Sequence, residues 1–216
     1  SDEEKAKVAA DMYQQYQSQV QGIRERITKY FNQVQAWDAN GFGDKFDLKT
    51  KPAVDINSYP RNGVVLLDRR ELDGLFSRFD SMKGSFEIHR KDSLEDVRRD
   101  AKNVVNDLLE IRYIVLVKVI SMSDPKTGKI QEYTKKKISL AFVPGEAKAK
   151  VAVFDLSDGQ YLGHESLLVQ NSLEVKLRPT DIVEQLKQDL LNKLREAAIT
   201  QIQYWDEVNR KKKQIP

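Results

Sequence analysis

The chain has 216 residues, of which 40% are hydrophobic and 32% charged, with 10 Gly, 6 Pro and no Cys. That composition describes a folded, helix-rich chain and excludes disulfides, thiolate metal sites and a cysteine nucleophile. The net charge of +3, with 36 basic residues set against 33 acidic ones, does not force an anionic partner, and no apolar run approaches the ~20 residues that cross a bilayer.

From Asp2 to Trp37, apolar residues fall at Ala9, Met12, Tyr16, Val20, Ile23, Ile27, Tyr30, Val34 and Trp37. Steps of three and four predict one long amphipathic helix. Asp2, Glu3 and Glu4 suit its positive end, and "DANGFGD" stops it. Residues 42–63 read as irregular, with Pro52, Pro60 and the pair Asn62-Gly63; they form either an interdomain linker or a loop laid across the core. "GVVLL" (63–67) reads as a short buried strand. Asp68 caps a short helix through Phe79, and "SFEIH" (85–89) suggests an edge strand.

"DSLEDVRRDAKNVVNDLLEI" is a second clear helix, with Ser93 and Asp96 at capping-box spacing. The period then changes to two. "IRYIVLVKVISM" (111–122) predicts a central strand, "DPKTG" a turn, and 129–143 the returning strand. "AKVAVFDL" and "QYLGHESLLV" form a hairpin, and "SLEVKL" a closing strand. A final helix runs from Thr180 to about Lys213, with Asp181 and Glu184 spaced like the start of a capping box. The expected fold is therefore α+β: an antiparallel meander sheet of three to five strands packed with long N- and C-terminal helices. It is read as a single domain over 1–216, with helix 2–37, irregular 42–63, mixed α/β 64–110, sheet 111–178 and helix 180–213.

The stretch "AVFDLSDGQYLGHESLLV" (152–169) gathers two aspartates, a glycine, a histidine and a glutamate. A calcium loop needs acidic or amide residues alternating before the glycine, and Phe154 and Leu156 break that alternation. The better reading is a two-residue type I′ turn at Asp158-Gly159, which pairs Leu156 with Tyr161, Phe154 with Gly163 and Val153 with His164. Neither His89 nor His164 has a partner at metal-ligand or triad spacing. "GFGDKF" (41–46) lacks the third glycine of a dinucleotide loop and follows a helix, so it reads as a helix stop. No catalytic residue, cofactor site or metal site is assigned, and the chain reads as non-enzymatic.

Two basic clusters remain. Lys135, Lys136 and Lys137 fall in the returning strand, where alternation puts Lys135 and Lys137 on one face of a protected edge. Lys211, Lys212 and Lys213 follow Arg210 at a helix C-terminus, where positive charge is favourable. Either cluster offers contacts to an anionic surface. Tyr13, Tyr16, Tyr30, Trp37 and Trp205 lie on the long helical stripes and are the candidate anchors of a partner or self-association surface, with internal packing as the other reading.

The central third, "RYIVLVKVISMSDPKTGKI" through "VAVFDLSDGQYLGHESLLVQNS" (Arg112–Ser172), resembles the soluble part of uncharacterised bacterial envelope lipoproteins. These carry a strand of the "ryvlVv" type, here Arg112–Val117, and a "v.vfDl.tG..lg" hairpin, here Val151–Gly163. The resemblance implies an export signal and a lipid-modified cysteine upstream of Ser1, and a domain held at the periplasmic face of a membrane. It supplies no catalytic residues. The function expected is a binding or scaffolding module of a bacterial envelope. The alternatives are a cytoplasmic basic protein touching nucleic acid through the two lysine clusters, and an enzyme whose site is assembled from distant residues.

Overall fold

The computed structural model describes residues 1–38, 40–45, 54, 62–87, 93–134, 137–172 and 181–213, with backbone alone for 127–134, 137–142, 205–206 and 208–213. Among the described residues, each of the four helices lies where the periodicity predicts. Helix α1 spans Asp2–Ala36; the Ser1 hydroxyl accepts from the Glu4 amide while Glu4 reaches back to the Ser1 amine. Helix α2 (Arg69–Ser81) begins at Asp68, whose carboxylate accepts from the Glu71 amide at 2.9 Å. Helix α3 (Leu94–Leu109) has the full Ser93–Asp96 capping box. The Ser93 hydrogen bonds, with Arg99 nearby, hold the Asp96 carboxyl down at about 2. Helix α4 spans Ile182–Lys213. Asp181 enters it in the left-handed region at φ 54°, not in the extended conformation that a capping box requires, so the Asp181–Glu184 expectation is corrected.

The fold is α+β, as expected, but its sheet is mixed. The four-stranded order is β1 (Gly63–Leu66), β2 (Tyr113–Ser123), β5 (Glu146–Asp155), β6 (Tyr161–Gln170). β1 runs parallel to β2, with Gly63 opposite Tyr113; the remaining pairs are antiparallel. Helices α2 and α3 form the crossover that a parallel pair requires, and the Arg112 and Tyr113 amides both donate to the Asn62 carbonyl at 2.8 Å. Local alternation carries no information about which distant strand is the neighbour, which is why the meander expectation missed β1.

The sheet is buried on both sides. One face, with Ile114, Leu116, Ala152 and Phe154, packs on α1, α2 and α3 through Val20, Ile27, Val34, Phe76, Val104 and Leu108. The other face, with Val115, Val117, Val151 and Val153, packs on α4 through Leu190, Leu194, Ala198 and Ile202. Burial on both faces explains the nearly continuous apolar run of β2. Phe42 is buried in the first core and Val54 in the second, so the irregular segment has anchors on both sides of the sheet. Among the described residues, Ser85–Glu87 form no strand, and Phe86 packs against the first core. His89 and residues 173–177 of the expected closing strand lie outside the described residues.

The "DPKTG" turn is also corrected. Asp124-Pro125 only interrupts the strand, because Pro125 has no amide to give to the ladder. β3 (Lys126–Thr134) continues outward and pairs with β4 (Lys137–Val143) in a separate two-stranded sheet. The chain reverses between Thr134, which pairs with Lys137, and Lys137 itself. β3 and β4 thus form an arm on the ends of β2 and β5, and among the described residues their contacts are chiefly with each other.

Candidate functional site

The corner joining β5 to β6 was the sequence's densest group of chemistry-bearing residues, and the structure gives its two aspartates and its histidine structural partners. Asp155 is buried and closes a pair with Arg112, whose Nε and Nη2 lie 3.1 and 2.9 Å from Oδ2. Its Oδ1 accepts from the Ser157 hydroxyl at 2.6 Å and the Ser157 amide at 2.9 Å. Burial alone would raise the Asp155 pKa; the Arg112 and Ser157 hydrogen bonds outweigh it and hold the carboxyl below its usual range. The Arg112 guanidinium is raised in turn, chiefly by Asp155.

The expected type I′ turn is not what closes this corner. Gly159 has φ 74°, but Asp158 does not share a positive φ, and type I′ needs both. Instead the Asp155 amide donates to the Gln160 carbonyl at 2.9 Å, and the Asp158 carboxylate accepts from the Gln160 amide at 2.8 Å. Asp155 bends the chain by capturing Ser157, and the Leu156 amide turns away to the Arg112 carbonyl at 2.6 Å. The register moves accordingly: Phe154 faces Tyr161, Val153 faces Gly163, and Ala152 faces His164. Gly159 sits under α1, where an added Cβ would lie 2.5 Å from the Tyr30 hydroxyl. Arg26 Nη1 donates to the Leu156 carbonyl at 2.7 Å, a second tie from α1.

His164 is buried, and its amide and Nδ1 lie 3.2 and 3.0 Å from the Asp44 carbonyl. Its ring meets Phe42 edge-on at 5.7 Å. The Tyr161 hydroxyl donates to the Phe42 carbonyl at 2.6 Å. Burial, with Asp44 nearby, pushes that phenol far above its ordinary range. Together these contacts pin the chain after α1 along β6.

The candidate interface aromatics divide between the two ends of α1. Tyr13 packs on Phe79 at 5.0 Å, and Tyr16 lies half-buried against the first core. Tyr30 stacks on Phe154 at 4.6 Å, and Trp37 contacts Phe42, Phe154 and Tyr161 at 5.2, 6.1 and 5.1 Å. These four rings pack on the protein's own core, the second reading that the stripes allowed. The Trp205 side chain is outside the described residues. On β2, Lys118 donates to the carbonyls of Gln35 and Trp37 and so closes the C-terminus of α1.

Compared with family models, with curated proteins and with solved structures, the chain finds no match.

The basic clusters lie at two extremities. Lys137 opens β4 at the end of the arm and is not mid-strand as expected; Lys135 is outside the described residues. The Pro and Gly of "DPKTG" drew the prediction away from the Thr134–Lys137 pairing. Lys211, Lys212 and Lys213 form the last turn of α4. A polar cleft of about 310 Å³ lies between α2 and α3, lined by Ser77, Arg78, Ser81 and Asp100. Its Ser77 and Ser81 hydroxyls donate to carbonyls of their own helix at 2.8 and 2.7 Å.

The arm's root is firmly built. The Gly145 amide donates to Asn171 Oδ1 at 2.8 Å, and Asn171 Nδ2 donates to the Leu186 carbonyl and Asp189 of α4 at 2.7 and 3.0 Å. A Cβ on Gly145 would lie 2.5 Å from the Ser123 carbonyl and 2.9 Å from the Pro125 nitrogen, so only glycine fits this joint. Lys187 and Asp124 pair across it at 3.4 Å.

Proposed function

We propose that this chain is a non-enzymatic binding or scaffolding module of a bacterial envelope, held at the periplasmic face of a membrane by a lipid anchor upstream of Ser1. The observation that carries the binding part is the arm. A strand pair leaves the helix-covered sheet from a clamped root as a separate two-stranded sheet, its two strands tied chiefly to each other among the described residues, while the corner's carboxylates and its histidine are committed to holding the fold. The envelope part rests on the resemblance of Arg112–Ser172 to envelope lipoproteins.

The test is the exact mass of the mature N-terminus of the endogenous protein after cell fractionation. An acylated cysteine ahead of Ser1, recovered with membranes, is expected. An unmodified chain in the cytosol contradicts the proposal.

A further inference from the structure

We draw no further inference here: the strongest candidate, the stretch of sheet face beyond the C-terminus of α1 where Lys118, Lys148 and Lys150 stand on neighbouring positions beside the exposed Leu168, carries nothing, because Lys118 is engaged by the Gln35 and Trp37 carbonyls, Lys148 by Glu146 and Lys150 by the Phe42 ring, and nothing in the structure shows what covers the rest of that face.

Discussion

Two hairpins of this protein invite opposite readings, and the structure reverses them. The β5–β6 corner holds the residues that sequence reasoning associates with chemistry, yet Asp155, Ser157, Asp158 and His164 are each bonded to the fold itself. The β3–β4 arm holds no catalytic-looking residue, yet it carries more net positive charge than the whole chain. A notable residue inside a packed core is committed by the cost of leaving polar groups unpaired there. Among the described residues, β3 and β4 are tied chiefly to each other.

If the corner serves stability and the arm does not, substitutions in the two hairpins should differ most in unfolding free energy. Phe154 lies among Tyr30, Trp37 and Tyr161, and Phe154→Ala should cost about 3–5 kcal/mol by urea denaturation. Arg112→Ala leaves the buried Asp155 carboxylate without its cation; because Arg112 is itself half-exposed, the expected loss is about 2–3 kcal/mol.

The same pair sets a pH dependence. The Asp155 pKa is lowered on folding, so its stabilisation is fully present above the unfolded value of about 3.9 and is lost as pH falls through the folded one. The stability gap between wild type and Asp155→Asn should therefore be constant near neutrality and close in strong acid. A gap that widens as pH falls would mean that Asp155 is not held as a carboxylate. At the joint between the two regions, Gly145→Ala forces a Cβ onto the Ser123 carbonyl and should cost about 1–3 kcal/mol in the same denaturation series.

Much of the fold was readable because helices announce themselves locally. The stripes of α1 and α4 and the caps at Asp68 and Ser93 are patterns within a few turns of chain, and the structure places them as read. What failed depends on partners distant in sequence or on competing local bonds. The parallel pairing of β1 is decided by the α2–α3 crossover. The corner's wider loop is decided by the Asp155 side chain, which captures Ser157 where the Asp158-Gly159 pair favoured a tighter turn. The aromatic residues of α1 were visible, but that they meet Phe42, Phe79 and Phe154 was not. The arm was hidden by its own punctuation: Pro125 and Gly128 imitate a turn. Its charge excess was countable in the sequence all along, but gained a structural setting only once the strands formed one separate two-stranded sheet.

The most direct measurement of that division is native-state hydrogen–deuterium exchange across the chain. The account predicts that amides of the 152–155 and 161–164 ladder exchange only through global unfolding, while those of the two-stranded β3–β4 sheet exchange faster through local opening. Equal protection of the two hairpins, or faster exchange in the corner, would contradict it.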